Sequence, residues 1–113
     1  MADCLFCKIA SGELPTDKVA ESDGVLAFRD INPEAPTHIL VIPKEHVSSA
    51  SELGAASGEL LAEVFTTISG LAEKERLHGG WRVVTNVGSD AGQSVHHLHF
   101  HLLGGRTMAW PPG

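Results

Sequence analysis

The sequence predicts an α+β domain with five strands, one short helix and one long helix. Residues 97–102 alternate histidine with Leu or Phe, which is the two-residue period of a half-buried strand. Four other short runs are rich in β-branched and apolar residues and are separated by turn residues. Residues 51–77 instead keep apolar side chains at helical spacing. At 113 residues, the chain fits one domain, residues 1–113, with a core of its own.

The bulk composition argues against two kinds of partner. The net charge is −6, and neither nucleic acid nor an anionic membrane attracts such a chain. Apolar runs are short, such as Ile39–Ile42, so no segment could span a bilayer. The first residues include Asp3 and lack a basic region followed by an apolar one, so no signal peptide is visible. We therefore expect a cytoplasmic protein that binds neither nucleic acid nor membrane.

The first element is a short helix over residues 4–11, with Asp3 as its N-cap and Gly12 as its stop. It carries a Cys-x-x-Cys pair, Cys4 and Cys7. A structural disulfide is disfavoured in a cytosolic chain, and no strand precedes the pair as in thioredoxin-like motifs. Half of a zinc site that needs two more ligands is the better interpretation.

Two strands follow, over residues 18–21 and 25–29, joined by the turn residues 22–24. Pro33 prevents a continuation, because proline cannot donate a ladder hydrogen bond. Asp30 stands at the end of the second strand. From residue chemistry alone, an Asx-type turn is favoured for Asp30 over hydrogen bonds to a sugar diol.

The third strand covers residues 37–42 and is closed by Pro43. It contains His38, and a lone histidine in a buried strand is most often a satisfied core residue. His46 lies in the loop that follows, either as a plain loop residue or as a ligand beside the cysteines.

The long helix is predicted over residues 51–77, with Ser57 as an alternative N-cap because glycines weaken the earlier start. A fourth strand is predicted over residues 81–87, followed by a glycine-bearing loop over residues 88–92. The tail from Arg106 contains Trp110 and is too apolar to stay free, so we expect it to pack against another surface, such as that of a second subunit.

The fifth predicted strand contains the histidines that are candidates for catalysis or metal binding. Alternate residues of a strand share a face, so His97, His99 and His101 would line one face and the intervening apolar residues the other. Three imidazoles in register point to metal binding, or to nucleophilic and acid–base work on a phosphate.

This run, His97–Leu103, resembles the signature of the histidine triad (HIT) superfamily, in which three histidines alternate with apolar residues. Residues 93–95 and the tail are most similar to the HINT branch, the nucleoside phosphoramidases. Other landmarks of the superfamily follow in order along nearly the whole chain: Phe6–Ile9, Leu26–Phe28, Asp30–Pro33, Pro36–His38, Leu40–Lys44, Asn86, Gly92–Val95, Gly104–Arg106 and Trp110–Gly113.

The resemblance implies a five-stranded antiparallel sheet that joins its copy in a homodimer to make a ten-stranded sheet. It implies hydrolysis of purine nucleoside 5′-phosphoramidates through a nucleotidyl-histidine intermediate. Two alternatives are a hydrolase of dinucleoside polyphosphates and a non-catalytic, zinc-stabilised adaptor that binds nucleotides.

The resemblance also assigns roles to the residues around the phosphate. His99 matches the nucleophile, while His101, Ser94 and Asn86 match donors to the phosphate. His97 and His38 match histidines that support the nucleophile. Gly92 and Gln93 match residues that border the phosphate pocket.

The remaining roles concern the nucleoside and the metal. Asp30 matches a carboxylate that binds ribose, which the resemblance favours over the turn role. Trp110 matches a tail residue that reaches toward the partner's site. The base pocket is matched by Phe6, Ile9, Phe28 and Ile31. A structural zinc that the reaction does not need would be bound by Cys4, Cys7, His46 and His97.

Overall fold

The computed structural model describes residues 3–113, which form a five-stranded antiparallel sheet with one helix on each face. The helices and strands run in the order α1 Leu5–Ala10, β1 Lys18–Glu21, β2 Val25–Arg29, β3 Thr37–Pro43, α2 Gly58–Lys74, β4 Trp81–Val84 and β5 Phe100–Gly104. The sheet order is β1-β2-β3-β5-β4, and every neighbouring pair is antiparallel. The predicted fold class is confirmed. Within the described residues, no helix combines the length and apolarity that a membrane span requires.

Two apolar clusters lie on opposite faces of the sheet. The larger cluster packs α2 through Val64 and Ile68 onto residues that include Leu98 and Leu102. The smaller cluster packs Phe6 of α1 onto β2 and β3. Since both faces are covered, β3 is buried along its whole length, which explains its unbroken apolar run. The α1 face is the one that carries the site.

The helix α1 begins differently from the prediction. Cys4, not Asp3, is the N-cap, because its backbone is extended and its Sγ accepts a hydrogen bond from the Cys7 backbone N–H at 3.4 Å. The helix ends at Ala10, and Gly12 follows with a φ of +85°. The start at Cys4 puts both thiols on the first turn, facing the sheet's histidines.

The long helix is shorter than residues 51–77. Residues 50–52 and 55–57 form two 3-10 turns, and α2 begins after Ser57, the alternative start that the glycines indicated. It ends at Lys74, and Arg76 then turns the chain with a φ of +57°. Leu77 fits the helical period yet lies outside the helix, because this turn returns its side chain to the core.

The last two strands are also shorter than predicted. β4 ends at Val84, and β5 begins only at Phe100, so His97 and His99 precede the strand. The ladder between β3 and β5 stops at Val41 and Phe100, near the point where β3 reaches Pro43, which has no N–H to donate. The prediction that the histidines and the apolar residues lie on opposite faces is nevertheless confirmed. The apolar residues between the histidines lie in the cluster under α2, and the histidines face α1.

Candidate functional site

A cavity of about 390 Å³ opens between α1 and the α1 face of the sheet. Its polar lining consists of Thr16, Arg29, Asp30 and Ser94, with two imidazoles from His99 and His101. Eight residues with a predicted role in nucleotide binding line it: Phe6, Ile9, Phe28, Asp30, Ile31, Ser94, His99 and His101. The rest of the lining is apolar, so the cavity suits a ligand that has both a flat ring and an anionic group.

His99 presents one free ring nitrogen. Its Nδ1 lies 2.6 Å from the backbone carbonyl oxygen of His97. A carbonyl can only accept, so Nδ1 carries a hydrogen, and in the neutral form of the ring the lone pair is therefore on Nε2. The ring is 6% exposed and meets Phe6 edge-on at 5.1 Å between ring centres. A neutral imidazole held in this tautomer has the form of a nitrogen nucleophile.

A chain of hydrogen bonds determines which ring nitrogen carries the hydrogen in His38 and in His101. The Glu34 backbone N–H donates to His38 Nδ1 at 3.0 Å, so the His38 hydrogen is on Nε2. That Nε2 lies 2.9 Å from His101 Nδ1 and 3.4 Å from Asp30 Oδ2. His101 therefore accepts at Nδ1 and carries its own hydrogen on Nε2. We call Asp30, His38 and His101 the histidine relay.

The far end of the histidine relay is an unsatisfied donor. His101 Nε2 is buried and has no hydrogen-bond partner among residues 3–113. Burial lowers the pKa of His101 to about 4, and its neighbours His99 and His38 act in the same direction against Asp30. His101 is thus neutral at pH 7. A buried N–H beside a cavity calls for an acceptor, and a phosphate oxygen would supply one.

Asp30 makes the predicted turn contact and also lines the cavity. Its Oδ1 accepts a hydrogen bond from the Asn32 backbone N–H at 2.8 Å, which is the turn chemistry expected from residue type. The same carboxylate lines the cavity and contacts His38 through Oδ2. The turn fixes the carboxylate at the cavity wall rather than excluding it from the site.

Four of the twelve residues predicted to bind the nucleotide do not line the cavity. The Gln93 amide donates to the Ser48 and Val95 carbonyls at 2.8 and 3.1 Å, and the Gly92 N–H donates to Ser89, so both hold the loop together. Asn86 lies two residues beyond β4. Trp110 is 81% exposed, with the Arg82 guanidinium 5.9 Å from its ring centre. Their roles stay predictions.

Seven residues of the cavity wall were not among those predicted to bind the nucleotide. They are Leu5, Leu14, Pro15, Thr16, Arg29, Leu40 and Val95. Three of them belong to the connection between α1 and β1, which has no periodic pattern. Only the short apolar helix preceding that connection, and the apolar run of β3, gave any signal for this wall.

A second group of side chains lies behind the cavity, and we call Cys4, Cys7, His46 and His97 the metal centre. One ligand atom from each of the four lies within 4.8 Å of the others. His97 Nδ1 is 3.3 Å from Cys4 Sγ and 3.5 Å from Cys7 Sγ, and His46 Nδ1 is 3.4 Å from Cys7 Sγ. Tetrahedral zinc with two sulfur and two nitrogen ligands requires sulfur–nitrogen separations of about 3.6 Å.

The protonation of the metal centre also fits a cation. His97 Nε2 lies 2.8 Å from the Pro43 carbonyl oxygen and must donate to it, so Nδ1 keeps its lone pair toward the thiols. Burial lowers the pKa of His97 and keeps the ring neutral. Burial and the neighbouring Cys4 raise the pKa of the Cys7 thiol in the metal-free chain, so binding a cation releases protons. These four residues fit a zinc ion.

Comparison with known proteins agrees with the triad motif. The HIT domain profile matches residues 11–108. The chain is 47% identical to the "14 kDa zinc-binding protein" of Zea mays, covering 96% of this chain and 87% of that protein. It is 45% identical to "Adenylylsulfatase HINT1" of Arabidopsis thaliana, covering 96% of this chain and 76% of that protein. A "HIT family hydrolase" from Legionella pneumophila has a TM-score of 0.96 and 52% identity, covering 98% of this chain and 100% of that one. By sequence and by fold, the chain belongs to the HIT domain family.

Proposed function

We propose that the chain hydrolyses the phosphorus–nitrogen bond of purine nucleoside 5′-phosphoramidates through a nucleotidyl intermediate on His99. One observation carries the proposal: His99, whose Nδ1 is engaged by the His97 carbonyl, and His101, whose buried Nε2 has no hydrogen-bond partner among residues 3–113, line the same cavity. Membership of the HIT family, with relatives named hydrolases, supports it. The proposal takes residues 1–113 as one domain and the active form as a homodimer with a joined ten-stranded sheet.

The cavity offers residues for each part of a nucleotide. Its apolar residues would hold the base against Phe6 and Phe28, whose rings meet edge-on at 5.6 Å between centres. Asp30 would bind the ribose hydroxyls, because a carboxylate has about four acceptor sites and the Asn32 N–H occupies one. The phosphate would lie between His99, His101 and Ser94.

In the first step, His99 Nε2 attacks the α-phosphorus while the bond from phosphorus to the amine nitrogen breaks. The amine leaves with a proton taken from solvent, either directly or through the Ser94 hydroxyl, which is reprotonated from solvent. Attack makes the His99 ring cationic, and its Nδ1–H bond to the His97 carbonyl stabilises that charge. The His101 Nε2–H donates to the phosphate oxygen on which negative charge grows.

In the second step, water attacks the same phosphorus and the bond to His99 Nε2 breaks. The nucleoside monophosphate leaves, the water's proton passes to solvent, and the His99 ring is neutral again. Two displacements at an activated centre replace one difficult displacement by an unassisted water. Zinc, when bound by the metal centre, would supply a structural cross-link rather than a Lewis acid, since His99 is not among its ligands.

The test is single-turnover and steady-state kinetics with an adenosine phosphoramidate. Wild-type protein should release amine and AMP, and acid quenching should trap an adenylylated peptide that contains His99. His99→Ala should lower kcat/KM by roughly 10⁴-fold or more, as expected for a lost nucleophile. His96→Ala, at the exposed histidine nearby, is the matched control and should keep turnover. Turnover that survives His99→Ala would rule out the mechanism.

Adenylyl sulfate is a second candidate substrate, because a relative at 45% identity is named an adenylylsulfatase. It shares the adenylyl half with the phosphoramidate and differs only in the leaving group, so the same His99 intermediate would form. Initial rates on adenylyl sulfate, a phosphoramidate and a dinucleoside polyphosphate would rank the three. Binding of AMP without turnover of any of them would favour a nucleotide-binding adaptor instead.

A further inference from the structure

His97 is the residue at which the metal centre and the nucleophile meet. It is fully buried, and its ring and its backbone serve different partners. The ring faces the thiols through Nδ1 and donates to the Pro43 carbonyl through Nε2 at 2.8 Å. The backbone carbonyl of the same residue accepts the hydrogen bond that sets the tautomer of His99. His97 therefore links the metal centre to the group that orients His99.

A second bond ties the neighbouring segment to the same ligands. The Leu98 N–H donates to the Val47 carbonyl at 2.6 Å. Leu98 follows His97, and Val47 follows His46, so each bonded residue is next to a metal ligand. His97 and His99 precede β5, so this bond and that of His97 to Pro43 take the place of a strand ladder here. The stretch that carries the nucleophile is thus held in part by residues next to the metal ligands and in part by the Thr85 hydroxyl, which donates to the His99 carbonyl at 2.8 Å.

The thiols connect the metal centre to the opposite wall of the cavity. Cys4 and Cys7 flank Phe6 on the first turn of α1. The Phe6 ring packs edge-on against His99 at 5.1 Å and against Phe28 at 5.6 Å between centres, and it lines the cavity. A six-residue helix is too short to be stable by itself, so its position depends on tertiary contacts such as these.

We propose that cation binding at the metal centre positions both walls of the nucleotide cavity, so that metal occupancy and nucleotide affinity are coupled. His97 transmits the effect to His99 through its carbonyl, and Cys4 and Cys7 transmit it to the base wall through Phe6. The role assigned to His99 rests on the proposed function, whereas the coupling itself does not require turnover. A metal centre that only stabilises the fold would change the melting temperature and leave both walls unchanged.

The first experiment compares zinc-loaded and chelated protein well below the melting temperature. Long-range ¹H–¹⁵N spectra should show His99 in the Nδ1–H tautomer when zinc is bound and in a mixture of tautomers when it is removed. By calorimetry, the Kd for AMP should rise about tenfold on zinc removal and recover when zinc is restored. Cys7→Ser should make the AMP Kd indifferent to zinc, and His96→Ala should leave the zinc effect intact.

The second experiment uses thermodynamic reciprocity. If zinc tightens AMP binding by a given factor, AMP must tighten zinc binding by the same factor. Competition with a chelator of known affinity measures that factor without any catalytic step. Phe6→Ala keeps all four metal ligands but removes the base-wall contact, so it should reduce the factor while zinc still binds.

A third measurement covers the case in which the metal-free chain unfolds. Cobalt(II) replaces zinc in such ligand sets and gives visible absorption bands, and AMP should shift those bands in the loaded, folded protein. An unchanged cobalt spectrum with equal zinc affinities in the presence and absence of AMP overturns the proposal. Coupling that persists in a protein without phosphoramidase activity would uphold the proposal and reject only the proposed reaction.

Discussion

Two groups of side chains on one face of the sheet bring metal-ligating atoms together, and only one of them suits a metal. The metal centre and the histidine relay each place histidine nitrogens beside acidic or thiol groups within 4.8 Å. The two groups are close in sequence, since His97 belongs to the metal centre and His101 to the histidine relay. Residue composition does not distinguish them.

The backbone group that each histidine meets does distinguish them. His97 donates to a carbonyl, that of Pro43, and so turns a lone pair toward the thiols. His38 accepts from an N–H, that of Glu34, and so places a hydrogen between itself and His101. A cation needs lone pairs on every side, whereas a relay needs a hydrogen between its members. One backbone hydrogen bond thus decides whether a cluster binds metal or directs a proton donor.

The largest expected effect separates the two groups by metal content. Cys7→Ala should reduce bound zinc from about one per chain to about zero, because structural zinc sites bind by roughly 10–16 kcal/mol and depend on all four ligands. His38→Ala should leave the zinc content unchanged. Elemental analysis against protein concentration, after purification without chelator, gives the ratio. Zinc that is lost equally in the two variants would show that the relay also binds metal.

The converse change removes the donor and spares the metal. His101→Phe keeps a ring of similar size but has no N–H, so kcat should fall by roughly 10²–10³-fold, the usual loss for one donor to developing charge. The zinc content should stay as in wild type. His101→Gln restores an N–H donor and should recover part of the activity. Full activity in His101→Phe would contradict the role of its Nε2–H.

The sequence predicted the faces of the fold better than its boundaries. Alternation of histidine with Leu or Phe requires only an extended chain, so the two faces were right although His97 and His99 lie outside β5. The end of the ladder depends on Pro43, which is distant in sequence. Likewise Leu77 fits the helical period because it is buried, and burial does not require it to be helical.

The site, too, was predicted only in part from the sequence. Neither His38 nor His46 could be ranked above a core or loop histidine from residue chemistry, and the resemblance to the HIT superfamily alone selected them. The tautomers depend on the Pro43 carbonyl and the Glu34 N–H, and no side-chain pattern encodes the direction of a backbone group. The bidentate ion pair of Arg29 and Glu75, at 3.0 Å for both bonds, joins β2 to the end of α2. No sequence pattern predicted this pair either.

The smallest expected effect is a pH dependence of the free energy of unfolding, which arises from His101 of the histidine relay. The folded pKa of His101, about 4, lies below its ordinary value of 6.5. Between these values the unfolded chain takes up a proton that the folded chain does not, so the free energy of unfolding falls as pH drops from 6.5 toward 4. Allowing for solvent screening of a partly exposed ring, the loss is about 1 kcal/mol.

Urea denaturation of zinc-loaded protein at a series of pH values measures this loss by difference. His101→Asn should have a flatter dependence than wild type between pH 6.5 and 4, whereas His78→Asn, at an exposed histidine, should keep the wild-type slope. Contributions from zinc release and from groups that do not contact His101 are common to all three proteins and cancel. Equal slopes in wild type and His101→Asn would mean that the relay admits a proton in the folded chain, and the contrast with the metal centre would then lose its physical basis.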